Sequence, residues 1–313
     1  MTGLNSSSLS IRIMDTNYPL IAETVRKRFP GLHVTSGPVA ERDGVKVLVS
    51  YYPPEDEDLS VYDWINIPAA GVDRMLAGLE GSGHTPVITR TIGRMGEQIG
   101  EYCLAYALAE FQKMRLREAF QSESNWWKKK AAPGHVFDKT IAILGTGSIG
   151  QGIAQSFKAL GARVLGYSRS GTPREPFHEV FPLSAFGEGA SPDVLISALP
   201  WTAETENLIS LSLFSVLTGA LFINVGRGAS LDDDALKVAL EAGQVSRAVL
   251  DVFRTEPLPA EHWFWSHEQV TVTPHVSGLT RPQDAADTFA RHLKRVLKTG
   301  ALPETEVDLA RGY

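Results

Sequence analysis

The sequence predicts an α/β protein of two domains, one of them a doubly wound parallel sheet that binds a dinucleotide. Three observations predict it. At 313 residues the chain exceeds the size at which a single core usually stops growing. Short apolar runs alternate with segments of helical spacing along most of its length, the pattern of parallel sheets covered by helices. A glycine-rich turn, Gly145-Thr146-Gly147-Ser148-Ile149-Gly150, lies between an apolar strand and an amphipathic helix.

The first domain is expected to comprise residues 1–102 together with 284–313, and the second residues 103–283. Residues 10–14 read as a strand, and 18–28 as a helix ended by Pro30-Gly31. Residues 45–49 form a buried strand running into Tyr51-Tyr52-Pro53-Pro54, and 65–67 another, followed by a tight loop at Pro68-Ala69-Ala70-Gly71-Val72-Asp73 that opens a helix. One long helix is predicted over 97–120. A polar, basic stretch follows at 122–130 with Trp126 and Trp127 embedded in it, and it reads as a hinge with a protruding arm before Pro133-Gly134. Strands are then predicted at 140–144, near Val164, and at 194–196, 220–223, 248–250 and 270–272. The last helix, 281–298, carries Ala285, Ala286, Phe289, Leu293, Val296 and Leu297 at helical spacing, and is expected to return to the first domain.

Composition narrows the function classes. The chain is 43% hydrophobic and 21% charged, ordinary for a globular protein and unlike a disordered one. Thirty basic against thirty-six acidic residues give a net charge of −6, which argues against broad binding of nucleic acid or anionic membrane. No apolar run approaches the roughly 20 residues of a membrane span. Cys103 is the single cysteine, which precludes an intrachain disulfide; with a short polar start lacking a basic region, it points to the cytosol. Cys103 falls in an apolar helical pattern and reads as core packing. No metal site is expected.

In the glycine turn, Gly145 allows the tight bend, Gly147 lets backbone approach a pyrophosphate, and Gly150 permits close packing of helix and strand. The helix start adds free N–H groups and the positive end of a dipole, contributed by Thr146, Ser148 and Ile149 among the turn residues. The next strand ends at Ser168, where a carboxylate would bind the ribose 2′-hydroxyl of NADH. Ser168-Arg169-Ser170 instead offers a guanidinium between two hydroxyls, suited to a 2′-phosphate, so NADPH is the expected cofactor and NADH a possible one. A solvated surface arginine is the plainer alternative.

Arg227 follows a buried strand between Gly226 and Gly228, Glu256 lies beside Pro257 in a polar loop, and His275 follows Thr273-Pro274. Taken singly, each has a bland reading: an arginine at a sheet edge, a loop carboxylate, a structural histidine. Together they follow strands of one predicted parallel sheet, and ligands bind beyond the carboxyl ends of such strands. Glu256 accepting from one imidazole nitrogen would favour a protonated His275 and aim its other nitrogen at a substrate oxygen; Arg227 suits a carboxylate.

With these residues in place the chain resembles the D-isomer-specific 2-hydroxyacid dehydrogenases over nearly its whole length, and among them the glyoxylate/hydroxypyruvate reductase A type. Met95-Gly96-Glu97-Gln98, Pro200-Trp201-Thr202-Ala203-Glu204-Thr205, Glu256-Pro257-Leu258-Pro259, Thr280-Arg281-Pro282 and Asp308-Leu309-Ala310-Arg311-Gly312-Tyr313 also carry the likeness. The resemblance implies a Rossmann-type nucleotide domain and a flavodoxin-like substrate domain. It implies catalytic roles for Arg227, Glu256 and His275, with Arg227 and His275 also binding substrate beside Ala70, Gly71 and Val72. Further cofactor contacts are implied at Leu199, Pro200, Thr205, Val225, Gly226, Arg227, Asp251, His275 and Gly278. The expected activity is NADPH-dependent reduction of glyoxylate and hydroxypyruvate in a cleft between the domains, with hydride delivered to C2 and a proton from His275.

The resemblance also implies a homodimer, in which Trp126 or Trp127 reaches the partner or simply anchors the interface. Ser168 departs from the commoner acidic residue of the family and weighs against NAD dependence. Two alternatives stand beside this reading: a dehydrogenase for phenylpyruvate, pyruvate or another 2-oxo acid, and a dinucleotide-sensing regulator. Pocket size separates the substrates and is expected to depend on Tyr51, Tyr52, Trp64, Met95 and Trp263, with Arg94 as an additional substrate-binding candidate.

Overall fold

The computed structural model describes residues 4–14, 18–39, 44–189, 191–309 and 311–312, so Ala310 and Tyr313 of the C-terminal motif, and the first three residues, lie outside the described part. The chain divides into two compact units, Met1–Arg94 with Thr280–Tyr313, and Met95–Leu279.

The first unit is built on strands β1 (Leu9–Ile13), β2 (His33–Thr35), β3 (Val45–Val49), β4 (Trp64–Ile67) and β5 (Val87–Arg90), all parallel in the order β2-β1-β3-β4-β5. Both faces are covered, so β1 and β4 are buried at every position, Arg12 of β1 being paired with Asp56 and Glu57. Leu9, Ile11 and Ile13 share a core with Ile21 and Val25 of helix α1 (Tyr18–Arg28) and with Ala285, Phe289 and Leu293 of the last helix, Pro282–Thr299. That helix starts with proline in its first turn and ends at Gly300 with a φ of 71°, the asymmetry of caps that helices favour. On the other face, Leu48, Ile65, Ile67 and Ile88 pack with Met75 and Leu79 of α2 (Asp73–Leu79).

The second unit holds β6 (Thr140–Leu144), β7 (Arg163–Ser168), β8 (Glu179–Pro182), β9 (Val194–Ser197), β10 (Ala220–Asn224), β11 (Val245–Leu250) and β12 (Val270–Val272). They are parallel in the order β12-β11-β10-β9-β6-β7-β8, so the chain reverses direction across the sheet between β6 and β9. Ligands collect beyond the strand ends at such a switch point. Helices α3 (Met95–Phe111) and α5 (Ser148–Ala159) touch backbone to backbone, since a β-carbon on Gly152 would lie 2.4 Å from the carbonyl carbon of Gly96.

Three expectations need correction. The division expected between residues 102 and 103 cuts α3, but the whole helix falls in the second unit, where its small residues pack on α5. The single helix predicted over 97–120 is two, because Lys113 turns left-handed (φ 51°) before α4 (Met114–Ser122). Tertiary hydrogen bonds hold that break: Lys113 Nζ donates to the Lys130 carbonyl at 3.1 Å, and Arg117 donates twice to the Ala131 carbonyl at 3.2 and 3.1 Å. Trp64, placed near a pocket, is fully buried in the first unit's core and donates to Thr89 Oγ1 at 2.9 Å. Strands β2, β5 and β8 were not anticipated; they are short and only partly apolar.

Candidate active site

The glycine turn joins β6 to α5 and has the shape of a phosphate cradle. Gly145 adopts a φ of 100°, and a β-carbon there would meet the Ala198 carbonyl oxygen at 2.8 Å. A β-carbon at Gly150 would strike the Gly145 carbonyl oxygen at 2.0 Å, so this glycine closes the turn upon itself. Gly147 has nothing within 4 Å of that position, and α5 begins there without a side-chain cap. Open space before uncapped N–H groups fits a pyrophosphate. Thr146 is buried in the turn, and its carbonyl accepts from Gln151 Nε2 at 3.3 Å.

At the end of β7, Ser168 Oγ accepts from the Gly171 backbone at 3.1 Å, and Ser170 pairs with Thr172 at 2.8 Å. Arg169 is exposed and stands 3.8 Å from Glu204, an ionic partner the sequence did not suggest. Of the remaining expected cofactor residues, Leu199, Pro200, Thr205, Val225, Gly226 and Arg227 follow β9 and β10, and Asp251, His275 and Gly278 follow β11 and β12. Thr205 Oγ1 donates to the Pro200 carbonyl at 2.8 Å, and a β-carbon on Gly226 would lie 2.5 Å from the Leu199 carbonyl oxygen. Val225 is buried, and Gly278 packs against Met95 and Ile99 of α3.

Arg227, Glu256 and His275 follow β10, β11 and β12, three neighbouring strands. His275 Nδ1 lies 2.8 Å from Glu256 Oε2, while the other oxygen of Glu256 accepts from the Phe253 backbone at 2.9 Å. The carboxylate is thereby held at both oxygens, which leaves the imidazole Nε2 as the free working nitrogen. Arg227 is half-buried, with Nη1 donating to the Gly226 carbonyl at 2.9 Å. Its loop is stapled by Asn224 Nδ2 and Ser230 Oγ, which both donate to the Arg227 carbonyl, at 3.3 and 2.7 Å. Gly228 then brings this loop onto the backbone of Phe253, linking the arginine's segment to the one that carries Glu256.

His275 has a left-handed backbone, with φ 53°. Few non-glycine residues adopt it, and they concentrate where the surroundings enforce it. Asp251, fully buried at the end of β11, provides that enforcement by accepting from the backbones of Val276 and Ser277 at 2.9 and 2.8 Å. This holding task of Asp251 was not legible from a single aspartate in a loop.

Ala70, Gly71 and Val72 belong to the first unit, in the loop between β4 and α2, where Arg90 donates to the Ala70 carbonyl at 3.2 Å. Arg94 is in the same unit, its backbone N 3.4 Å from Asp284. Tyr51 and Tyr52 meet edge to face there, with centroids 4.8 Å apart. In the second unit, Met95 is buried and Trp263 stacks edge-on against Phe264. Burial pushes the Cys103 thiol up, in keeping with a core residue. Trp127 packs edge-on against Phe120, whereas Trp126 is 93% exposed.

Residues 104–277 match the model of the NAD-binding domain of D-isomer specific 2-hydroxyacid dehydrogenases. The glyoxylate/hydroxypyruvate reductase A of Serratia proteamaculans (strain 568) is 39% identical over 225 residues, 70% of either chain. A D-isomer specific 2-hydroxyacid dehydrogenase from Xanthobacter autotrophicus Py2, solved with NADPH and MES, superposes with a TM-score of 0.84 at 25% identity, over 97% of this chain and 99% of that one. An NADPH-dependent glyoxylate/hydroxypyruvate reductase from Sinorhizobium meliloti, solved with NADP and sulfate, gives 0.81 at 26% identity, over 97% and 99%.

Proposed function

This chain belongs to the D-isomer specific 2-hydroxyacid dehydrogenase family, and from that premise we propose that it uses NADPH to reduce small 2-oxo acids, glyoxylate and hydroxypyruvate foremost. The observation that carries the reading is the pairing of His275 with Glu256 beside the loop of Arg227, in a unit that also holds an open glycine cradle.

The residues present fit the dinucleotide. Gly147 and the start of α5 would take the pyrophosphate, and Arg169 with Ser168 and Ser170 the 2′-phosphate. When bound, NADPH supplies the hydride for C2 of the substrate. Arg227 takes the substrate carboxylate in a charge-assisted fork and draws electron density toward the carbonyl oxygen. His275 gives that oxygen a proton from Nε2, and Glu256 accepts from Nδ1 and so aims the ring at the substrate. Asp251 keeps the loop in the conformation that presents the ring.

NADPH oxidation measured against a panel of glyoxylate, hydroxypyruvate, pyruvate and phenylpyruvate tests the reading. Highest kcat/KM is expected for the first two; a clear preference for phenylpyruvate or pyruvate reassigns the substrate, and no oxidation with any of them ends the proposal. A homodimer is part of it, with exposed Trp126 as an interface anchor; sedimentation of Trp126→Ala against the parent chain tests that, a weaker dimer being the expected result.

A further inference from the structure

We propose that Tyr102 and Thr273 are positioning residues for His275, acting through the carboxylate of Asp251; the inference rests on the reading of His275 as the proton donor. Three consecutive backbone N–H groups, of His275, Val276 and Ser277, all end on Asp251: the first on its carbonyl oxygen at 2.9 Å, the others on its two carboxylate oxygens at 2.9 and 2.8 Å. These bonds, with the His275 N–H shared with the Thr273 carbonyl at 3.0 Å, hold the left-handed backbone of His275 in place.

Asp251 is itself aimed from the side. Thr273 Oγ1 lies 2.5 Å from Asp251 Oδ1, and Tyr102 Oη lies 2.6 Å from the same threonine oxygen. The proton directions follow. Both Asp251 oxygens already accept backbone protons, so the single threonine proton goes to Oδ1, and the tyrosine must donate to the threonine. Burial pushes the Tyr102 phenol up, which keeps it a donor. A chain of directed hydrogen bonds thus runs from α3 to the backbone of the proton donor, and removing a link leaves a buried polar group without its partner.

Steady-state kinetics with glyoxylate and NADPH on five variants test the chain. Thr273→Val is expected to lower kcat about tenfold to hundredfold, Tyr102→Phe about threefold to tenfold. KM for NADPH should stay within about twofold in both, because the change falls on the presentation of the ring and not on cofactor binding. Thr273→Ser keeps the hydroxyl and should restore kcat. The double variant Tyr102→Phe/Thr273→Val should be no slower than Thr273→Val alone, since both changes interrupt one chain. A merely structural role predicts lower melting temperatures with an unchanged kcat and pH–rate profile. If Tyr102→Phe and Thr273→Val keep parental kcat while His275→Ala loses it, the positioning role is overturned and the proton donor stands. If His275→Ala also keeps it, the underlying reading falls instead. Should Thr273→Val fail to fold, the near-isosteric Tyr102→Phe and the hydroxyl-retaining Thr273→Ser decide alone.

Discussion

A β-carbon at Gly228 would sit 1.9 Å from the carbonyl carbon of Phe253, so the two backbones touch and leave no room for a side chain. Phe253 in turn donates its N–H to Glu256, and Glu256 holds His275. Gly228→Ala therefore has to push Phe253 away. We expect a loss of about 1–3 kcal/mol of stability, typical of overpacking, together with a fall in kcat. Thermal melts and turnover on the same sample check it; retention of both would show that the loop yields at no cost.

Glycines of the phosphate turn should separate by role. Gly147→Ala meets nothing within 4 Å, so the melting temperature should hold while NADPH binding weakens. Gly150→Ala collides with the Gly145 carbonyl and should cost both. Titration of each variant with NADPH, followed by nicotinamide fluorescence, distinguishes the two outcomes; equal losses of affinity without loss of stability would contradict the division.

Arg169 and Glu204 give opposite predictions. Arg169→Gln should raise KM for NADPH about tenfold or more and leave NADH unaffected, as expected for a lost charge-assisted contact. Glu204→Gln frees the guanidinium from a competing carboxylate 3.8 Å away. It should lower KM for NADPH by no more than about fivefold, the limit set by an exposed ion pair. A parallel change in KM for NADH in either variant would mean that the effect does not arise at the 2′-phosphate.

His292 gives a dependence on acidity. Its ring is stacked on Trp64, its Nε2 lies 3.5 Å from Glu306, and Nδ1 is buried with no partner among the described residues. Burial, the largest influence, depresses its pKa below the usual 6.5, against the attraction of Glu306. The folded chain thus favours the neutral ring, while the unfolded chain takes up a proton near 6.5. This contribution to stability is present above that pH and lost as the pH falls further toward the depressed value. Melting temperatures at pH 7.5 and 5.5 should differ more for the parent chain than for His292→Asn, and an equal difference would rule the histidine out as a cause.

Strand β6, the turn after it and the last helix were legible because each is specified locally, by glycine spacing, apolar continuity or helical period. His275, Glu256 and Arg227 could be named because they follow strands that a parallel sheet must set side by side. Asp251 showed no such sign: its task depends on N–H groups 25 and 26 residues away, which only the folded sheet delivers. The break at Lys113 escaped detection for the same reason, since neither glycine nor proline marks it and its stabilising carbonyls belong to Lys130 and Ala131. Trp64 was expected to shape the pocket, and only the folded chain lays Phe289 and His292 of the last helix against it and makes it core.

The order of the seven-stranded sheet has an evolutionary consequence. Arg169 leaves from β7 and His275 from β12, five sheet positions apart; at about 4.8 Å per position the two strands are about 24 Å from each other. On the proposed roles, substitutions that retune the choice of coenzyme beside β7 fall well away from the acid that follows β12. Selection can therefore exchange the reductant in this scaffold while inheriting the proton chemistry intact.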